Sequence, residues 1–237
     1  MPELCISEAW LILMKDCKTD IEAAAKSLNT ALGSSQISDF SKIEAHINLG
    51  VCMTRLGNFI EADKCFTKAN DSCESLKQSP DMNPGNNELR TKRAHLRILL
   101  YSGERFYREK NYGKAQELYE KVDKGAKEID WLRFRIKANE RLAFLEILHN
   151  NLTEAQLRLE EWIEFAKNNK DDRRIAFFHR DFAELYFRQE KFREAEDYAI
   201  SAEAAFRRLN MSGRVDEMTK LRDRVIGRKN RRLMNPI

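Results

Sequence analysis

Five alanines, Ala24, Ala62, Ala115, Ala155 and Ala195, align so that a bulky apolar residue stands three places before each: Ile21, Phe59, Tyr112, Leu152 and Phe192. Twelve places before four of them stands a second small residue, Gly50, Gly103, Ala143 or Ala183; the first copy has Ile12 there. A period of this length constrains the fold more tightly than composition does, because each copy must be one small structural unit that buries its apolar face only against its neighbours. Two antiparallel helices joined by a tight turn touch backbone to backbone only where side chains are small, so one small residue on each helix marks the crossing. The bulky residue just after the turn then plugs the wedge. The short polar stretches "LGN", "EKN", "HNN" and "QEK" between the two helices carry Gly and Asn, which suit a helix C-cap and turn. Each copy is therefore expected to be a helix hairpin.

The pattern resembles the tetratricopeptide repeat, with a Leu-Gly pair in the first helix, an aromatic after the turn and alanines in the second helix. The second copy carries it through Leu49, Gly50, Gly57, Phe59, Ala62, Phe66 and Ala69, and the fifth through Phe182, Ala183, Tyr186, Phe192, Ala195 and Ala202. From the third copy onward the alanines are 40 residues apart, against about 34 in the usual repeat, a length similar to the long repeats of Pins-like members. The resemblance implies an all-α, right-handed superhelical solenoid of about five hairpins with a C-terminal capping helix. Residues 1–209 are expected to form the repeat domain. Trp162 stands where the family places an alanine, so the register of the last two copies is the least regular.

Two segments interrupt the rhythm. "SLKQSPDMNPGNNELR", with two prolines, a glycine and three asparagines, is expected to be an extended loop over about residues 76–92. After Leu209 the chain keeps helical spacing through Val215, Met218, Arg222 and Val225, then turns basic in "RDRVIGRKNRR", with Gly227 as the expected stop. Residues 210–237 thus read as a capping helix, which solenoids require at an open end, followed by a solvated basic tail that could also serve as a nuclear-import signal.

Catalysis needs clustered reactive groups, and none is legible. His46, His95, His149 and His179 stand apart from one another, with no metal-binding spacing, and no phosphate-cradling glycine loop or nucleophile motif occurs. The five cysteines, Cys5, Cys17, Cys52, Cys65 and Cys73, are irregularly spaced and odd in number, as free thiols of a reducing compartment would be. The chain has no basic, apolar, small-residue leader and no apolar run of membrane-spanning length. The expectation is an intracellular, cytoplasmic or nuclear, non-enzymatic protein with no cofactor, no metal and no membrane contact.

A solenoid offers a long concave face lined by the first helix of each repeat. Carrying the family's groove positions onto this chain places Arg55, Arg97, Tyr107, Arg108, Lys137, Phe144, Arg180, Phe187 and Arg188 there, interspersed with Glu44, Ile47, Val51, Leu100, Glu104, Glu140, Ile147, Phe177 and Glu184. Aromatics and arginines are the residues that most often anchor interfaces. They point to a protein partner, a peptide or helix of acidic or amphipathic character, and to the role of an adaptor within a complex. The alternatives are a helical-repeat nucleic-acid binder using the same arginines with aromatic stacking, and a peptide-responsive regulator. Lysines and arginines (42) nearly balance aspartates and glutamates (38), which argues against nucleic acid.

Overall fold

The structure, a computed structural model, describes residues 1–15, 18–77 and 84–234. Cys17 and residues 78–83 of the expected loop lie outside the described residues. The described residues form eleven helices and no strand: α1 (Pro2–Lys15), α2 (Lys18–Leu32), α3 (Asp39–Leu56), α4 (Phe59–Lys77), α5 (Pro84–Arg108), α6 (Tyr112–Glu128), α7 (Leu132–Leu148), α8 (Leu152–Asn168), α9 (Asp172–Arg188), α10 (Phe192–Arg208) and α11 (Ser212–Met234). Helices pair in chain order into five hairpins, α1/α2 to α9/α10, and α11 follows alone. The fold is an all-α helical repeat array.

The chain divides into two compact units, Met1–Trp131 and Leu132–Ile237. In the first unit α2 packs on α3 and α4 on α5, and the first helices of its three hairpins, α1, α3 and α5, lie side by side. In the second unit α8 packs on α9, α7 lies beside α9, and α11 packs on α10.

The hairpin crossings follow the small residues. A Cβ added to Gly50 would lie 2.5 Å from the Phe66 ring, and one added to Gly103 would lie 2.5 Å from the Tyr119 ring. Phe66 and Tyr119 stand four residues after the register alanine, where the later copies have Leu159 and Ala199. As the second helix carries a smaller residue there, the first can carry a larger one, Ala143 or Ala183, and all of these positions are buried. The residue after the turn plugs the wedge as expected. Tyr112 lies 5.7 Å from Tyr107, and Phe192 lies 6.4 Å from Phe187, between ring centroids.

The 40-residue repeat resolves into two 20-residue halves. Helices α6 to α10 each have 17 residues, and a left-handed residue recurs at Lys110, Asp130, Asn150, Lys170, Glu190 and Asn210, with φ between 50° and 64°. The next amide then reaches back five residues, as in Asn111 N–H to Phe106 O (2.9 Å) and Lys191 N–H to Tyr186 O (2.9 Å), so every helix from α5 to α10 ends in the same carbonyl-satisfying turn. Gly57 (φ 81°) makes this turn after α3. Side chains cap the following helices, with Asn111 Oδ1 accepting from Lys114 N and Asp171 Oδ1 from Arg174 N.

Two expectations need correction. Helix α5 begins at Pro84, so 84–92 are helical rather than loop; a proline in the first turn loses no hydrogen bond, because its N–H would be unpaired there in any case. Helix α11 runs through Gly227 to Met234, so its basic end continues the helix, with exposed side chains that reach acids of the preceding hairpin. Arg222 pairs with Glu203 (2.9 Å), Lys229 with Glu196 (3.6 Å) and Arg232 with Glu190 (3.0 Å), while Met218, Leu221 and Val225 anchor the helix in the core with Phe206. Trp162 does not prevent stacking. It is 4% exposed, shares a core with Phe178 and Phe182 of α9, and lies under the Arg135 guanidinium.

Candidate functional site

The first helices of the hairpins carry most of the charged and aromatic side chains singled out from sequence, and the two units use them differently. In the first unit Arg97 of α5 is bound to both carboxylate oxygens of Glu44 on α3, donates to Asn48 Oδ1 (3.3 Å) and lies near the Trp10 ring of α1. Arg55 donates to the Leu13 carbonyl of α1 (2.6 Å). Both arginines tie adjacent first helices together. Tyr107 is half-buried and Arg108 exposed at the end of α5. Ile47, Val51 and Leu100, placed in the groove by resemblance, are core residues.

In the second unit α7, α9 and α11 converge on Phe177, which is 2% exposed. Four guanidinium carbons surround its ring, at 5.7 Å (Arg141, α7), 4.6 Å (Arg174, α9), 4.9 Å (Arg180, α9) and 5.4 Å (Arg214, α11). Glu140, fully buried on α7, accepts from Arg174 (3.0 Å) and Arg180 (2.9 Å), and Arg141 lies 3.3 Å from it. Arg180 also donates to Asp181 Oδ1 through Nε (2.7 Å) and covers the Phe144 ring. On α11, Arg214 donates to Glu217 (2.7 Å).

Burial is the largest influence on Asp181 and raises its carboxyl well above the usual range, although Arg180 opposes this; its Oδ2 is buried with no hydrogen-bond partner. Burial would also raise Glu217, but Arg180 and Arg214 outweigh it and hold that carboxyl below the usual range. Burial thus raises the proton affinity of Asp181, whereas the arginines lower that of Glu217.

Several sequence-selected residues are already engaged. Arg180, expected to face a partner, is 4% exposed beneath the surface, where Glu140 and Asp181 accept its hydrogen bonds. Phe187 is 8% exposed and covered by Arg224 (4.7 Å) and Arg228 (5.6 Å) of α11, so it supports the capping helix. Arg188 pairs with Glu184, which also receives Arg224. Lys137 and Phe144 are half-buried on α7. Sequence reasoning missed Arg174, Asp181, Arg214 and Glu217. The available signal was a reversed pair: Glu140-Arg141 and Arg180-Asp181 occupy the same two register positions in consecutive copies, with the charge order inverted.

Groups suited to bond-making chemistry are subdued. Burial pushes the Cys52 thiol up to about 12 and those of Cys65 and Cys73 up to about 11, so they stay protonated and unreactive. Burial first, and then a nearby lysine, lowers the pKa of His46, His95 and His179. Among the described residues no three His, Cys, Asp or Glu side chains gather as a metal site, and no helix is long and apolar enough to cross a membrane.

The fold and this face together define a helical-hairpin repeat array with a charged, aromatic first-helix surface. Among solved structures it is similar to a Signal Transduction ATPase with Numerous Domains (STAND) protein with a tetratricopeptide repeat sensor from Pyrococcus horikoshii. The TM-score is 0.65 at 15% sequence identity, over 93% of this chain and 32% of that one. At that identity the likeness is one of fold. No protein-family model and no curated protein matches the sequence.

Proposed function

We propose that this chain is a non-catalytic protein-interaction module, an adaptor whose first helices bind an acidic or amphipathic segment of a partner protein. The observation that carries the reading is the collar of four arginines on Phe177, one of which, Arg180, stands at a register where the first unit has Ile47 and Leu100. Buried ions seldom improve stability over apolar packing, and sites that break the local packing rule are commonly functional. In the similar STAND protein the tetratricopeptide repeats are a sensor, a role that accords with recognition by the repeat array here. In the second unit Lys137, Arg141, Arg188 and Arg214 are the side chains assigned to partner contact, with Arg180 and Phe187 supporting them; taken by itself, the first unit offers Arg55, Tyr107 and Arg108, with Arg97 in support.

A nucleic-acid groove would set cations against phosphate without interleaved acids. Here Glu184 and Glu217 lie among the accessible arginines, while Glu140 and Asp181 pair with the buried ones, which favours a protein partner that can meet both signs. The reading is tested by affinity capture from nuclease-treated lysate, comparing the wild-type chain with Arg141→Gln/Arg188→Gln/Arg214→Gln and with the control Arg208→Gln on α10. A defined set of proteins lost only with the triple variant, at unchanged helical circular dichroism, supports it. Identical captures by all three chains contradict it.

A further inference from the structure

The arginines around Phe177 fall into two tiers. Arg174 and Arg180 are 8% and 5% exposed at their side chains and share the fully buried Glu140. Removing those charges from one another would leave an ion stranded in the core, so this inner tier is fixed. Arg141 and Arg214 form the outer tier, with side chains 16% and 20% exposed. Both lie against the same ring, approaching from α7 and α11. An arginine packed on an aromatic face holds its planar fork with little freedom left to lose, which preorganises it for a carboxylate.

The carboxylate at the outer tier comes from α11 itself. Glu217 accepts from Arg214 at 2.7 Å with its own side chain 39% exposed, and the charges of Arg180, Arg214 and Arg141 all act on it. The 39% exposure of the Glu217 side chain leaves this pair within reach of a competing carboxylate from solvent. The inner acids are not exchangeable in this way, because Glu140 and Asp181 are fully buried.

We propose that Glu217 is a built-in stand-in for the ligand: it occupies the outer arginine tier of a carboxylate-binding site, and an acidic side chain of a partner protein binds by replacing it. This rests on the reading of the chain as a protein-binding module and adds to it the location of the anchor and the residue that competes for it. Glu217 then sets the affinity threshold of the site. Partners with a well-placed carboxylate displace it, and apolar or amide-bearing segments do not. Arg214 remains on the Phe177 ring in both states, so α11 need not leave α10 for the exchange.

The test is fluorescence anisotropy on the full 237-residue chain with a short labelled peptide of repeated Asp-Leu-Glu triplets, its Asn-Leu-Gln counterpart, and a labelled oligouridylate. Glu217→Gln keeps the shape of the side chain and removes only its charge. It is expected to tighten the acidic peptide by about threefold to tenfold and leave the amide peptide unchanged. Arg214→Gln and Arg141→Gln are each expected to weaken the acidic peptide by about tenfold or more, whereas Arg208→Gln leaves it unaltered. Equal binding of the acidic peptide by wild type and Glu217→Gln overturns the inference while leaving the protein-binding reading in place, as does an equal loss with Arg208→Gln. Oligouridylate binding that tightens with Glu217→Gln, with no binding of the acidic peptide to either chain, overturns both.

Discussion

One register position distinguishes the two units. Fifteen residues before the hairpin alanine, the first unit has Ile47 and Leu100 and the second has Glu140 and Arg180, and all four are buried. The next position repeats the contrast, with Asn48 and Tyr101 against Arg141 and Asp181. Since aliphatic side chains satisfy this architecture in the first unit, the charges of the second are not a requirement of the fold. They replace a non-directional contact with one that fixes where each helix sits, because Arg180 must meet Glu140 and Asp181 together. The first unit is built to pack, and the second to hold arginines in a set arrangement around Phe177.

The contrast can be broken most forcefully at Glu140. Glu140→Leu leaves Arg174 and Arg180 buried without their shared carboxylate and is expected to cost about 3–5 kcal/mol in urea unfolding. Adding Arg180→Leu, which restores the apolar pattern of the first unit, is expected to recover part of that loss. Strict additivity of the two changes would show that they do not act as one network.

A smaller effect is expected at the hairpin crossing, where the units also differ. Gly50→Ala forces a methyl group into the Phe66 ring and is expected to destabilise by about 1–3 kcal/mol. The same change combined with Phe66→Leu, which reproduces the Ala143 and Leu159 combination of the second unit, is expected to return most of it. A double variant no better than the single would sink the idea that the two residues compensate in size.

The turns show a gentler difference, between copies rather than between units, since Lys110 and Asp130 of the first unit are left-handed as well. Gly57 makes the turn after α3 with no penalty for its φ of 81°, while Lys170 and Glu190 adopt the left-handed region with a side chain attached. Lys170→Gly is expected to stabilise by about 0.5–1 kcal/mol, and Gly57→Ala to destabilise by about 1 kcal/mol. Thermal denaturation of the two variants checks both signs.

The weakest signature is the pH dependence contributed by the acids of the arginine cluster in the second unit. With Asp181 raised in the fold, the native state keeps a proton that the unfolded chain releases. Between the unfolded value, about 3.9 for a free aspartate, and the raised folded value, this group therefore makes stability fall as pH rises. Asp181→Asn is expected to remove that slope. Glu217 acts in the opposite direction: with its carboxyl lowered, it adds stability at neutral pH that is lost as pH falls through the folded value. Stability curves that superpose for wild type and Asp181→Asn across this window would contradict the assignment.

The helix pairing was legible because close approach tolerates only small side chains, so Gly50, Gly103, Ala143 and Ala183 mark the crossings whatever surrounds them. The loop expected over 76–92 is helical at 84–92: "PGNNELR" carries breakers, yet a proline in the first turn and polar residues after it open a helix as readily as they interrupt one. The continuation of α11 past Gly227 was hidden for a different reason. Its basic residues read as a run with no partners, whereas α9, α10 and the turn between them supply Glu184, Glu190, Glu196 and Glu203. The site was legible as arginines and aromatics on first helices. Which of them are buried was not, because an ion pair made between copies leaves each residue looking like an exposed charge in its own helix. Only the inverted order of Glu140-Arg141 and Arg180-Asp181 carried that information.

The most direct measurement is hydrogen–deuterium exchange on the full chain, alone and bound to the protein it captures from lysate. Protection gained on α7, α9 and the first turns of α11 around Arg214 is the result this account predicts. Protection confined to the first unit, or to the second helices α8 and α10, would show that the arginine collar is not where the partner binds.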